Sequence, residues 1–463
     1  MTRAWFVLAC AVVVALVVGH LLRDTPGYVL RNPDGSVSGD ITHYVYWTRL
    51  VTLGGIQSAY GGTWPETYAV YPPVTLYAYQ AVGTAYRWLQ DPAFDPDAAQ
   101  QSLWLHEGIK FVALIWHLLT AAAIVLLVRR MAMRASGASG ASAASAAVAG
   151  ALYVANPAAL YDVAHWAQPD GAHSLFSVLA IGLLSLGQVM AAWAAMTLAA
   201  LAKPQAWALL PLLAIATVRS SGPRGAQRSV HLLSLGRGLI AAAVVAVVVT
   251  LPFSLAGRSN ELLSLPGTVS SVMPVVSADA HNLWWLIVQS RGQDPLFVLD
   301  SSRALGPLTY RTIAGALVAA VFALTYWLYW TRRASLAEAA ALGVLGWFTF
   351  TTQAHENHLF FALPLLSLAW PARRSLLLPF GVLSVTLFLN MLLHDQLVLE
   401  SLGAGLQDPL VEHLRLANAA LNVLCCLGWC ALAALRPPKE EPASATVSYR
   451  RSHTAGIGLE VRS

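Results

Sequence analysis

Charge is what this sequence has least of. Only 11% of its 463 residues are Asp, Glu, Lys or Arg, while 57% are hydrophobic and the mean hydropathy is +0.58; soluble domains carry about 25% charge. No water-soluble fold hides that much apolar surface, so a soluble enzyme or regulatory domain is excluded. Cysteine is scarce as well. Cys10, Cys425, Cys426 and Cys430 all fall inside apolar stretches, without the loop spacing of a disulfide framework or a zinc site, and read as small packing residues. Blocks of one charge sign are missing too: the net charge of +5 comes from Arg residues at the ends of apolar runs, a pattern explained by membrane topology and not by nucleic-acid binding. No repeat of fixed period is visible.

What is present is a succession of apolar runs, most near the length a bilayer core demands of a helix that satisfies its own backbone. They fall at roughly 4–22, 105–128, 145–161, 172–187, 189–202, 205–218, 236–255, 310–330, 336–352, 358–370, 375–393 and 416–435, about twelve spans. The first follows Arg3 and lacks a small-residue cleavage site, so it is expected to be retained, as an uncleaved signal anchor would be. With the N-terminus in the cytoplasm, Arg129, Arg130 and Arg134, then Arg219, Arg224 and Arg228, then Arg332 and Arg333, then Arg373 and Arg374 all lie inside. The same assignment sends segments of roughly 23–104, 256–309 and 394–415 outside, with the junctions near 162–171, 203–204 and 353–358. The expected fold is an all-α polytopic membrane protein over 1–435, whose large first outer loop carries interfacial helices. The Ser/Ala/Gly-rich stretch from Ala135 to Gly150 reads as a flexible inner loop entering a small-residue helix. Residues 436–463, with Pro437, Pro438, Lys439, Glu440 and Glu441, read as a disordered cytoplasmic tail.

The outer segments hold the residues that carry chemistry. Ile41 to Val51 has helical spacing, with Tyr44 and Trp47 as amphipathic aromatics suited to the interface; Asp40 opens that helix, as a cap or as something more. Asp162, His165, Gln168 and Asp170 cluster in DVAHWAQPD at a span junction, where ionisable residues are functional by default, and are expected to hold acceptor hydroxyls. Lys203, beside Pro204, either snorkels to the surface or sets a point charge on phosphate. His281, Asn282, Trp284 and Trp285 are interfacial anchors or an aromatic cover for a sugar ring. His355 opens a later span with Glu356 and His358 close behind; it is a polar cap or a phosphate ligand, its imidazole held cationic by the neighbouring carboxylate. Asp95-Pro96-Asp97 has the spacing of a nucleotide-sugar metal motif, but its Pro-rich setting points to an exposed turn. Arg258, Arg291, Arg303 and Arg311 are also outside, and no pattern selects one of them. No metal ligand set stands out; no cofactor is required, and a divalent ion stays open.

Taken in order, Asp40 with Trp47 seven positions on, then Tyr71-Pro72-Pro73 and Tyr77, then DVAHWAQPD, then Lys203-Pro204-Gln205, then Asn282-Leu283-Trp284 and His355-Glu356, resemble the C-type (GT-C) membrane glycosyltransferases. The likeness is to the members that use dolichyl-phosphate glucose in N-glycan precursor assembly, and it covers about 39–364. The sequence departs from them in reading HENH where they carry His-Glu-Lys, and in a shorter DVAHWAQPD. The resemblance implies a helical bundle working on a polyprenyl- or dolichyl-phosphate sugar, Asp40 as general base, His355 and Lys203 at the donor phosphate. It implies substrate contacts from Trp47, Tyr71, Asp162, His165, Gln168, Asp170, Gln205, Asn282, Trp284, Glu356 and His358.

Chemistry gives a separate reason for one carboxylate at the membrane surface. A sugar hydroxyl attacking an anomeric carbon needs a base, whereas a phosphate leaving group departs without acid assistance; glycoside hydrolysis, by contrast, needs two carboxyls. Developing charge on the phosphate needs donors or cations nearby. The expected activity is an inverting transfer of mannose or glucose, the sugars such families use, to a lipid-linked or glycan acceptor outside the plasma membrane of a prokaryote. Nucleotide sugars are cytosolic and the polar residues face the other way, hence the lipid-linked donor. Two rivals are a transporter or flippase of lipid-linked sugars, which needs ionisable residues in mid-span, and an oligosaccharide ligase or polymerase.

Overall fold

The apolar runs become the long elements of a helical chain. The computed structural model describes residues 2–31, 37–63, 66–136, 140–220 and 228–438. The expected tail from 439 onward and residues 137–139 of the inner Ser/Ala/Gly loop lie outside the described residues. Helix α1 (Thr2–Leu21) leads into a hairpin of β1 (Val29–Arg31) and β2 (Val37–Gly39), antiparallel with Val29 opposite Gly39. There follow α2 (Asp40–Leu53), α3 (Pro73–Leu89), α4 (Pro96–Gln101), α5 (Leu103–Ser136), α6 (Gly140–Val154) and α7 (Pro157–Leu160), the last running into a π-turn over Tyr161–His165. Then come α8 (Asp170–Ser185), α9 (Val189–Ala200), α10 (Leu210–Ser220), α11 (Arg228–Leu255), α12 (Ser259–Val272) and α13 (Leu283–Gln289). A second small hairpin, β3 (Arg303–Leu305) and β4 (Leu308–Thr309), precedes α14 (Tyr310–Trp330), α15 (Leu336–Phe350), α16 (Ala362–Ala369), α17 (Leu377–Leu392), α18 (Gln396–Ser401) and α19 (Pro409–Leu435). The two hairpins are absent from the all-helical expectation; they are three residues or fewer per strand, too short to show an alternating pattern.

Six described helices (α1, α5, α11, α14, α17 and α19) are long and apolar enough to cross a membrane, and α6 with the segment after it, bent by 48°, makes a seventh if the pair is one span. This is an integral membrane protein. Helices α8, α9, α15 and α16 also fall on expected apolar runs but are shorter, because polar residues that gather in one place interrupt them. The centre, around α5, α6, α8, α9, α15 and α16, is rich in Ala and Gly, which lets backbones approach where lipid supplies no hydrophobic drive. At Gly171 on α8 a Cβ would lie 2.9 Å from Trp116 Cβ and 3.0 Å from the His117 nitrogen of α5.

Two ends are distinct. At one, Glu338 pairs with Arg373 at 3.2 Å and with Arg436, Arg333 donates to the Ala434 carbonyl at 2.6 Å, and Arg219 donates to the Tyr329 carbonyl. Three of the Arg-bearing junctions that the charge rule groups together, at Arg219, Arg333 and Arg373, thus lie at this end. At the opposite end of α15, Asp300 clamps the segment leading to His355: it accepts from Arg311 (2.9 and 2.7 Å), Thr352 (3.1 Å) and Gln353 (2.8 Å). Helix α2 does not lie with its aromatics on the membrane surface as expected. Tyr44 and Trp47 are buried among Tyr71, Tyr79 and α3, because an aromatic-rich loop this long packs a core of its own. Asp95 caps α4, accepting from the Asp97 and Ala98 amides at 3.1 and 2.9 Å, as a turn would.

Candidate active site

Asp40 is the first residue of α2, delivered there by β2. The cap position belongs to Gly39, and no side chain caps the helix, so the Asp40 carboxyl is free for other work. It accepts a hydrogen bond from the Gln168 amide. The Gln168 oxygen accepts in turn from the hydroxyls of Tyr44 at 2.9 Å and Tyr71 at 3.3 Å, while Trp47 sets its edge against Tyr71, ring centroids 5.4 Å apart. Burial pushes the Asp40 carboxyl above the ordinary carboxylate value, against the lowering influence of His43, of the Gln168 hydrogen bond and of Lys203. Ala167, just before Gln168, has φ 63°, a left-handed backbone that a non-glycine residue adopts only when its surroundings impose it.

Behind Asp40 lies a buried ion pair. Lys203 donates to both carboxyl oxygens of Asp170 at 2.8 Å and sits 5.6 Å above the centre of the Tyr71 ring. Asn357 donates to Asp170 at 2.8 Å and to Asp162 at 3.3 Å; the second oxygen of Asp162 is buried without a partner. Both members of the Lys203–Asp170 pair are almost fully enclosed. The expectation that Lys203 touches phosphate directly is therefore revised: a buried ammonium with a bidentate carboxylate partner is already neutralised, and its charge reaches its neighbours only through space.

The HENH segment faces this pair. The His355 amide donates to His358 Nδ1 at 3.1 Å, so the neutral ring carries its proton on Nε2, 2.6 Å from the end of the Gln205 side chain, whose amide oxygen is the atom that can accept it. His358 stacks on Trp347 at 5.5 Å. Burial, then the Lys203 charge, lower His355 to about 4. Glu356 moves well above its usual range through burial and the charges of Asp279 and Asp40. The expected cationic imidazole is thus corrected: Glu356 lies 3.9 Å away and is itself driven toward the protonated form, so His355 is a neutral donor. Its side chain is 40% exposed, and Asp40 is only half-buried. The charge of Lys203 acts on both Asp40 and His355, and that of Asp40 on Glu356; the long segment between α1 and α5 and the segment before α16 are brought together.

Three residues expected here are engaged elsewhere. His165 lies on the far side of the π-turn, where its ring nitrogens meet Thr25 and Asp395, each at 2.8 Å; in the wider π-turn the three residues from Asp162 to His165 fall short of a full turn, so the two side chains diverge. Asn282 uses its oxygen to cap α13 and its amide nitrogen on the Phe348 and Thr351 carbonyls. Trp284 is buried, bonded to the Phe350 carbonyl at 2.7 Å. Both fasten the start of α13 to the end of α15 and offer no surface to a ligand. Sequence reasoning missed Asn357, although it sits inside HENH, and Tyr28, which feels the charges of Glu356, Asp279, Asp40 and Asp395. It also missed Asp279, which no local pattern marks. A cavity of about 400 Å³ opens elsewhere, between α1 and α5, with Arg23, Glu107 and Lys110 among its lining. Among the described residues no group of three or more His, Cys, Asp or Glu is arranged to hold a metal ion.

No family model matches the chain, and no curated protein matches it in sequence. Among solved structures, that of ArnT from Cupriavidus metallidurans bound to undecaprenyl phosphate is similar, with a TM-score of 0.50 and 15% sequence identity over 94% of this chain and 77% of that one. At that identity the similarity is one of fold.

Proposed function

We propose that this protein is a GT-C-type membrane glycosyltransferase. It moves a hexose, glucose or mannose, from a polyprenyl-phosphate donor to a lipid-linked or glycan acceptor at the outer face of a prokaryotic plasma membrane, with inversion. The fold shared with a structure that holds undecaprenyl phosphate supports the donor class. The observation that carries the catalytic assignment is the Asp40 carboxyl, free of capping duty, held by Gln168 and raised by burial toward the range where a base works at neutral pH.

In this scheme the acceptor hydroxyl gives its proton to Asp40 as its oxygen bonds to the anomeric carbon, and the bond from that carbon to the phosphate oxygen breaks toward polyprenyl phosphate. His355 donates an N–H to the departing phosphate; the second negative charge that grows there as the phosphodiester becomes a phosphate monoester raises the imidazole pKa and strengthens that bond. Lys203, already paired, contributes a through-space charge, and Tyr71, Gln205, Glu356 and His358 border the sugar. Asp162 and Asp170 with Asn357 brace Lys203.

Asp40→Asn is expected to reduce transfer from radiolabelled polyprenyl-phosphate glucose or mannose by about a hundredfold or more with the protein still folded. Retention of more than about a tenth of wild-type turnover removes Asp40 from the role. A transporter shares the bent α6–α7 pair but would move the lipid-linked sugar across vesicles without forming a new glycosidic bond, and a ligase would move only a preassembled glycan.

A further inference from the structure

A second carboxyl, Asp279, is held beside His355 more elaborately than a loop residue needs. Asp279 has φ 61°, and its backbone bridges to that of His355 while the Ala278 amide donates to the Ala354 carbonyl at 2.8 Å. Three buried asparagines grip this stretch. Asn390 of α17 donates to the Asp279 carbonyl at 2.6 Å and accepts from the His281 amide at 2.8 Å, and Asn422 of α19 donates to the His281 carbonyl at 2.9 Å. Asn418 of α19 reaches the His281 ring.

The hydrogen-bond directions in this group are fixed. Asn418 Nδ2 donates to the Thr386 carbonyl at 2.8 Å, and a carbonyl only accepts, so the nitrogen is the atom that faces His281 Nδ1, also at 2.8 Å. His281 Nδ1 therefore accepts and its proton is on Nε2, 3.0 Å from His394 Nε2. That nitrogen accepts in turn, placing the His394 proton on Nδ1, which faces Asp279 Oδ1 at 3.2 Å. Burial, then Arg415, push both imidazoles well below their usual value, so both are neutral, as this one-way order requires. Trp285 walls the pair, its ring 5.0 Å from His394 and 5.5 Å from His281. The guanidinium of Arg415 is bonded to the Leu393 and Leu406 carbonyls, so its charge reaches Asp279 only through space; burial, against that charge, pushes the Asp279 carboxyl up to about 7. Its side chain is 15% exposed, on the same face as Tyr28 and Glu356, both of which feel its charge.

A carboxyl with an imidazole N–H beside one oxygen, accessible surface, and no cation in direct contact is suited to neutral hydroxyl donors. We propose that Asp279 is the carboxylate that binds hydroxyls of the transferred sugar, aimed by the Asn418–His281–His394 chain. The proposal rests on the glycosyltransferase reading for the identity of the sugar, and on the hydrogen-bond chain for the residue.

The test is binding of two probes to the purified full-length protein in nanodiscs: polyprenyl phosphate, and polyprenyl-phosphate glucose of the same chain length. The wild type is expected to prefer the glucosylated lipid. Asp279→Asn should lose about tenfold of that preference while binding plain polyprenyl phosphate as before. Asn418→Ala, remote from ligand, should lose a smaller part of it, because the two imidazoles then lose their fixed proton positions. Asp40→Asn should keep the preference and lose turnover. A wild type without preference, or an Asp279→Asn protein that retains it, overturns the proposal. A preference lost in Asp279→Asn from a protein that performs no transfer leaves the Asp279 site standing and overturns the glycosyltransferase reading instead.

Discussion

A carboxylate that takes a proton from a hydroxyl works best when its pKa lies nearer neutrality than that of free aspartate. At Asp40 burial supplies the upward shift and the Gln168 amide limits it by bonding the charged form. Gln168→Leu removes the limiting bond, so the Asp40 pKa rises further and the carboxylate fraction at any acidic pH falls. The acid limb of the pH profile of kcat/KM is expected to move to higher pH, with activity at pH 6 reduced by about tenfold; a limb that stays in place would show that the amide only packs. For the pair behind it, Lys203→Met strands the Asp170 charge in the interior and is expected to cost about 3–5 kcal/mol. The double variant Lys203→Met/Asp170→Leu should recover most of that in thermal unfolding. Asp40, Asp170, Lys203 and Glu356 were legible because a bilayer admits few ionisable residues and each needs a reason. Their pairing was not: the Lys203–Asp170 bond, the neutral His355 and the departure of His165 toward Asp395 depend on which helices touch, and no local pattern encodes that.

At the scale of elements, the segment between α7 and α8 is built on two exceptions. The π-turn over Tyr161–His165 turns Asp162 toward Asn357 and His165 away, and Ala167 then takes a left-handed backbone so that Gln168 points at Asp40. Ala167→Gly is expected to fold at least as well as wild type, since glycine adopts φ 63° without penalty. Ala167→Val should lose more than about 1–2 kcal/mol, from backbone strain plus overpacking at a fully buried position, read as a lower unfolding temperature with loss of transfer. The apolar runs were legible, that at 310–330 to the residue, others with displaced ends, as 105–128 against Leu103–Ser136 and 416–435 against Pro409–Leu435. Their interruption was not, because a π-turn and a left-handed alanine are imposed by neighbours. The same holds for Asn282 and Trp284, whose pattern suits a sugar-facing surface equally well until α15 is seen to claim them.

On the scale of the molecule, α15 separates the two ends: Glu338, in its first turn, binds Arg373 and Arg436, and just beyond its last residue Thr352 and Gln353 join the Asp300 clamp that positions His355. A helix of 15 residues is about 22 Å long, against about 30 Å of hydrocarbon. If the Arg end sits at the inner headgroups, the Asp40 cluster lies sunk in the outer leaflet, within reach of a phosphate carried on a lipid rather than of a soluble nucleotide sugar. Cysteines placed singly at Asp91 and at Arg374, on a background with the four native cysteines replaced, report this arrangement. In intact cells a membrane-impermeant maleimide is expected to label position 91 and to reach position 374 only after permeabilisation. Labelling of 374 alone from outside would place the cluster in the cytoplasmic leaflet, where nucleotide sugars are available and the case for a lipid-linked donor no longer holds; labelling of both from one side would overturn the assignment of the two ends to opposite faces.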